Sequence, residues 1–156
     1  MVMESKINYF VMTQEEKALL IKDLCGRLPY GVFVECNDND GSLPNIWRVA
    51  YVNIITEDLY LLNTETTATK LISVEDIKPY LFPLSSMAEE QQKEANIFDD
   101  MDMDILSANL GRNHRNKTNI PTATYNYIDW LNANQFDYRG LIPMGLALDA
   151  TGLNIY

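Results

Sequence analysis

The chain has 156 residues, of which 47% are apolar, so it carries enough apolar surface for a hydrophobic core and suits one domain or a small domain with an appended helical portion. Its formal net charge of −10 opposes non-specific attraction to nucleic acid or anionic lipid. No apolar run approaches the length of a membrane span, and two cysteines are too few for a disulfide framework or a structural zinc site. We therefore expect an acidic, cytoplasmic protein without a membrane partner.

The first predicted element is an amphipathic helix within residues 13–31, TQEEKALLIKDLCGRLPYG. Thr13 and Glu16 have the spacing of a capping box at its start. Asp23 and Arg27 are spaced for an i, i+4 ion pair of modest value. The apolar residues recur at the spacing typical of a helix with one buried face, and they are Leu20, Ile21, Leu24, Cys25 and Leu28.

Short segments with strand character follow this helix. They occupy residues 31–36, 46–55, 58–63 and 67–74. The short break at 56–58 predicts a hairpin, and the absence of intervening helical patterns favours an antiparallel sheet, which could close into a small SH3-like barrel. Residues 77–87 contain Pro79 and Pro83, which argue against a central strand, so we expect an extended crossing there.

The C-terminal half is predicted to be mainly helical. One polar helix is expected over residues 85–98 with Ser86 as its cap, and an aromatic-rich helix over 122–135. The predicted class is therefore α+β, with an N-terminal helix, a small antiparallel sheet and a helical C-terminal portion. The predicted organisation has three parts, and these are residues 1–87, 88–121 and 122–156.

The sequence contains no recognisable catalytic constellation. Walker-type, dinucleotide-binding, G-x-S-x-G and H-E-x-x-H patterns are all absent from it. The acidic run at 100–104 has Ile105 and Gly111 where a calcium-binding loop needs Gly and Glu. His114 is the single histidine and has basic neighbours, which do not suit a catalytic base. We therefore expect no enzymatic activity, no cofactor and no metal site.

The apolar segment 136–148 is the candidate surface for a protein partner. The residues predicted to form that surface are Tyr138, Arg139, Leu141 and Ile142. The alternative interpretation is that these apolar residues pack beneath the helix at 122–135, because an exposed patch of this kind is costly unless it binds something.

A second candidate surface is a basic loop, which would make the protein a nucleic-acid-binding accessory together with one face of the sheet. The residues of this loop are Arg112, His114, Arg115 and Lys117. They could contact phosphates. Acidic residues nearby favour a solvated polar loop instead, so a protein partner is the leading hypothesis and nucleic acid the alternative.

Three stretches together resemble a family of small uncharacterised proteins from phages and mobile elements of gut bacteria. They are MTQEEKALLIKDLCGRLPYGV (12–32), IKPYLFPLSSM (77–87) and WLNANQFDYRGLIPMGLAL (130–148). The resemblance supplies no catalytic residues. It implies an intracellular accessory role during propagation of a phage or mobile element.

Overall fold

The computed structural model describes residues 11–36, 46–95 and 122–156. The helices in these ranges are α1 (Gln14–Arg27), α2, whose described residues are 89–95, and α3 (Thr122–Ala133). The strands are β1 (Phe33–Cys36), β2 (Ile46–Asn53), β3 (Asp58–Leu62), β4 (Thr69–Ser73), β5 (Ile77–Pro83), β6 (Phe136–Asp137) and β7 (Leu148–Asp149). Within the described ranges, no helix combines the length and the apolar character needed to cross a membrane.

The strands form one open mixed sheet in the order β4-β3-β2-β1-β5-β6, with β7 also paired to β5. Neighbours from β4 to β5 are antiparallel, whereas β6 and β7 run parallel to β5. The predicted α+β class is confirmed, but closure into an SH3-like barrel is wrong. The C-terminal strands lie beside β5, where a closing strand of the barrel would have to pair, and β4 remains an edge strand.

Residues 77–83 form an internal strand, contrary to the extended crossing that their prolines suggested. Pro79 is opposite Val34 of β1, while the partners on the other side of β5 begin only at Tyr80. Pro83 pairs with Asp137 at the far end of the strand, beyond the register with β1. Each proline therefore lies where β5 has one paired neighbour, which is the situation of an edge strand and accommodates a residue without an N–H group.

The hairpin predicted between the second and third strands is present. Asn53 ends β2, and its side-chain oxygen accepts hydrogen bonds from the backbone N–H groups of Ile55 at 3.0 Å and Thr56 at 3.2 Å. Glu57 has a positive φ of 58° just before β3 begins. This local hydrogen bonding of an Asn side chain explains why the chain reverses over so few residues.

Helix α1 begins as predicted and covers one face of the sheet. Thr13 and Glu16 form both hydrogen bonds of the capping box, at 3.2 and 2.7 Å. Leu20 and Leu24 are fully buried, whereas Cys25 is exposed and is not the core residue that the stripe predicted. The core on which α1 packs includes Val32, Val34, Cys36, Val49, Leu59, Leu61, Val74, Ile77, Leu81, Leu141 and Leu146.

The polar helix α2 begins later than predicted. Ser86 belongs to a 3₁₀ turn, and its hydroxyl donates to the carbonyl oxygen of Pro83 at 2.7 Å, so it does not cap the helix. The N–H of Ala88 instead donates to Gln91 Oε1 at 2.9 Å, and helical residues start at 89. The remainder of this predicted helix, residues 96–98, lies outside the described ranges.

Candidate functional site

A buried ion pair joins α1 to the C-terminal segment. Asp23 and Arg27 are both completely buried, and the Asp23 carboxylate accepts hydrogen bonds from Arg27 Nε at 2.7 Å and Arg27 Nη2 at 3.0 Å. Arg27 Nη2 also donates to the carbonyl oxygen of Phe136 at 2.8 Å. The pair therefore fixes β6 against α1, a larger role than the surface ion pair that the i, i+4 spacing suggested.

Tyr138 and Arg139, two of the predicted partner-binding residues, belong to the same network. Arg139 Nε lies 3.2 Å from Asp23 Oδ1, and Arg139 Nη2 donates to the Tyr138 hydroxyl at 3.2 Å. That hydroxyl donates to Asn132 Oδ1 at 3.0 Å. The Tyr138 ring centroid lies 5.5 Å from Arg27 Cζ and 4.9 Å from Arg139 Cζ, within the range of cation–π contacts. Both half-buried side chains therefore make their polar contacts within the protein.

Asp137 organises the turn that follows β6. Its two carboxylate oxygens accept hydrogen bonds from the backbone N–H groups of Leu141 and Ile142, each at 2.8 Å. Asp137 and Arg139 are close enough in sequence to pair with each other, but they have separate partners. Asp137 binds the backbone, and Arg139 pairs with Asp23. The two charges shape the fold rather than a catalytic site.

The burial of Leu141 and Ile142 tests whether the apolar segment 136–148 is a surface or part of the core. Leu141 has no exposed surface, and Ile142 packs partly buried against the main core. Their burial agrees with the alternative interpretation that these residues pack inside the protein, but the core they join is that of α1 and the sheet rather than a site beneath the helix at 122–135. Leu141 offers no surface to a partner in this fold, and a partner-binding role for the four tail residues stays a prediction.

The predicted nucleic-acid-binding loop lies outside the described ranges. Arg112, His114, Arg115 and Lys117 all fall within residues 96–121. In the part of the chain that is described, no group of three or more His, Cys, Asp or Glu side chains is placed to hold a metal ion.

An open cleft of about 630 Å³ lies where β1, β2 and β5 meet the end of α3. Its volume falls within the range of small-molecule sites. Three ring pairs connect its aromatic residues, with centroid distances of 5.3 Å for Phe33–Tyr156, 5.9 Å for Phe82–Tyr156 and 6.4 Å for Phe82–Phe136. Besides these rings the lining includes Tyr30 and three carboxamide side chains, those of Gln91, Asn134 and Gln135.

Arg48 supplies the charge of the cleft. Among the described lining residues it has the only side chain ionised at neutral pH, although the chain as a whole is strongly acidic. It makes no hydrogen bond or ion pair with any described residue. A Cβ atom on Gly31 would lie 2.9 Å from Arg48 Nη2, so the guanidinium packs directly on the backbone of a glycine whose φ is +79°. A free guanidinium in a cleft whose described lining has no acidic side chain attracts anions.

Gln135 contributes a second unsatisfied polar group to the cleft. The residue is only 2% exposed, and its side-chain N–H donates to the Gly31 carbonyl oxygen at 3.4 Å. Its Oε1 atom has no hydrogen-bond partner in the described part of the chain. A buried acceptor of this kind costs about 1–3 kcal/mol when it stays unpaired. The cleft therefore offers a cation, and an unpaired acceptor lies buried in its lining.

Tyr156 bridges two strands at the edge of the cleft. The register of Val34 with Pro79 places Phe33 opposite Tyr80, yet the Tyr156 hydroxyl lies between them. It accepts from Phe33 N–H at 3.1 Å and donates to the Tyr80 carbonyl oxygen at 2.7 Å. Burial raises the pKa of Tyr156 to about 12, while the Phe33 N–H group and the charge of Arg27 act in the opposite direction. The hydroxyl thus replaces a hydrogen bond of the ladder.

Replacing Tyr156 by phenylalanine should destabilise the fold by about 1–3 kcal/mol, because a strand N–H and a strand carbonyl lose their partner. The raised pKa also makes a pH prediction. The unfolded state loses the tyrosine proton near pH 10.0, whereas the folded state keeps it until about pH 12, so this stabilisation is complete below pH 10.0 and is lost as the pH rises toward 12. Urea unfolding of both proteins across this range measures it; equal slopes with pH would contradict it.

Comparison of the chain with protein-family models, with curated proteins and with solved structures finds no match. The cleft was not visible in the sequence, because Tyr30, Phe82 and Tyr156 are far apart along the chain. Its one local signal is Arg48, a basic residue on β2 directly opposite Phe33 of β1. Spacing rules for helices and strands do not reveal that this arginine lacks a partner.

Proposed function

We propose that this protein is a non-enzymatic binding protein and that its ligand site is the aromatic cleft beside Arg48. The observation that carries this proposal is an unpaired guanidinium, packed on Gly31, in a cleft that is lined by aromatic rings and by no described acidic side chain. Such a site suits a ligand that has an anionic group next to a planar or apolar part.

We favour this cleft over the apolar segment 136–148 as the binding site. The tail residues are engaged in the core and in the Asp23–Arg27 network, whereas Arg48 and Tyr30 remain accessible. The electrostatic contrast between an acidic chain and a cleft without acidic side chains in its described lining also favours selective binding of anions at one place. Together with the resemblance described above, this suggests an intracellular accessory role during propagation of a phage or mobile element.

Anionic ligands should raise the melting temperature of the native chain, and Arg48→Gln should remove that stabilisation. Ligand binding to the folded state raises its stability by an amount that grows with the logarithm of the ligand concentration above Kd, so a thermal-shift screen of small anions, nucleotides and acidic peptides detects it. Lys22→Gln is the matched control, since it removes one positive charge from an exposed position on α1. A ligand that stabilises Arg48→Gln as strongly as the native chain would place binding elsewhere.

A further inference from the structure

We infer that the ligand of the cleft is a nucleotide, recognised through its base and its phosphate. This inference rests on the proposed function, because it names the chemical class that the same cleft would take. A nucleotide presents a flat ring, a polar edge and an anion in one small molecule. The cleft provides a complementary group for each of the three.

The rings of the cleft suit the faces of a base. Tyr30 is 42% exposed and Tyr156 is 43% exposed, and the Tyr156 ring contacts those of Phe33 and Phe82 in the same cleft. Stacking of a base on an aromatic side chain is a strong and sequence-tolerant contact. These accessible rings offer faces on which one planar group can stack.

The carboxamides suit the polar edge of a base. Gln91 Oε1, Asn134 Nδ2 and Gln135 Nε2 already bond within the protein, which leaves the Nε2 donor of Gln91 and the Oδ1 acceptor of Asn134 for the donor and acceptor edge of a base. Gln135 Oε1 is buried and has no partner among the described residues, so a rotation of this side chain into the cleft would let it accept from an exocyclic amine or ring N–H. This unpaired oxygen is the observation that points to a ligand with its own donor.

Arg48 suits the phosphate. A guanidinium group binds phosphate oxygens through two parallel N–H donors, and Arg48 has no competing partner in the described chain. A single cation matches one phosphate better than a polymer, whose repeated charges would meet an acidic protein surface. The same chemistry is nevertheless carried by a free nucleotide and by one nucleotide of a single strand, and experiment distinguishes them.

An acidic peptide fits the cleft less well. Peptides that bind beside a sheet commonly add a strand to a free edge. At the cleft, β1 is already paired with β2 on one side and with β5 on the other, so it offers no free edge. A peptide would have to bind through side chains alone and would leave the row of carboxamides without an obvious partner.

The experiment is titration calorimetry of the full chain with adenosine monophosphate, adenosine, inorganic phosphate, a short single-stranded oligoadenylate and an acidic tyrosine-containing peptide. Adenosine monophosphate should bind, and Arg48→Gln should weaken it about tenfold or more, toward the affinity of adenosine. Tyr30→Ala should weaken both adenosine monophosphate and adenosine by about 5- to 150-fold. Tyr60→Ala is the control, because Tyr60 is 41% exposed and lies outside the cleft.

The outcomes separate this inference from the proposed function. Binding of the peptide through Arg48, with no binding of adenosine monophosphate or of the oligoadenylate, would overturn the nucleotide assignment and leave the cleft as the binding site. Absence of binding by every probe, with the variants folded, would overturn both. If nucleotides bind, an affinity that rises with oligoadenylate length and falls steeply with salt indicates a strand, and an affinity independent of length indicates the free nucleotide.

Discussion

Replacing Asp23 by alanine is expected to lower the free energy of unfolding by about 3–5 kcal/mol. The Asp23 carboxylate is fully buried and is the counter-charge of Arg27, also fully buried, and of Arg139. Without it, Arg27 would be held away from water as an uncompensated charge, with only the Phe136 carbonyl oxygen to accept from it. Urea unfolding followed by circular dichroism measures the loss as a lower midpoint at unchanged slope.

Two further variants test the cause of that loss. Lys17→Ala, also on α1, breaks a partly exposed ion pair with Glu75 of the turn before β5, so it should shift the midpoint far less. Substituting both residues of the buried pair, as Asp23→Leu with Arg27→Met, should leave the protein more stable than Asp23→Ala, because two apolar side chains bury no unpaired charge. An Asp23→Ala protein as stable as the Lys17→Ala protein would show that the pair is not buried in solution.

Replacing Leu141 by alanine is expected to cost about 2–5 kcal/mol of stability. Leu141 has no exposed surface and belongs to the main core with Leu146, so the truncation removes buried methyl groups and leaves a cavity. Met144, three residues later in the same segment, is 41% exposed and provides the matched control. Met144→Ala should change stability by less than about 0.5 kcal/mol.

The two tail variants also decide between the interpretations of the apolar segment. If the segment served mainly as a surface for a partner, Leu141→Ala would leave the melting temperature unchanged and weaken only an interaction. A loss of stability confined to Leu141→Ala, with Met144→Ala close to the native chain, agrees with the burial of the leucine.

The sequence reveals the first half of the fold well, because the decisive signals there are local. The capping box at Thr13 and Glu16 fixes the start of α1, and the break after Asn53 fixes the hairpin. Pro79 led to the wrong prediction of an extended crossing over residues 77–87. The rule against proline in a sheet refers to a strand paired on both sides, whereas β5 has one neighbour at that point. Pairing partners are a property of the whole fold and have no local signature.

On α1, hydrophobicity alone does not identify which residues form the buried face. Leu20, Asp23, Leu24 and Arg27 follow the i, i+3, i+4, i+7 spacing of one helix face, and all four are buried. Assigning the face by apolar residues included Cys25, which is exposed. The charged pair becomes compatible with burial only when Phe136 and Arg139 meet it from the other end of the chain.

The candidate site was harder to predict than the fold because it is defined by polar groups that lack a partner. Arg48 stands out because no described carboxylate pairs with it, and Gln135 because its oxygen lacks a donor. Neither fact follows from residue type or spacing. Both need the positions of every neighbour, and only the folded chain supplies these.

The parallel strands beside β5 have a consequence for synthesis on the ribosome. Phe33 N–H is bound by Tyr156, 123 residues later, and Arg27 by Phe136, 109 residues later. At translation rates of about 5–20 residues per second, roughly 4 to 15 s separate the synthesis of β5 from that of these last partners. During that interval residues 80–83 present an unpaired edge that invites association between nascent chains. Chains that stop before β6 should therefore aggregate and depend on chaperones, whereas the completed chain covers this edge with its own backbone.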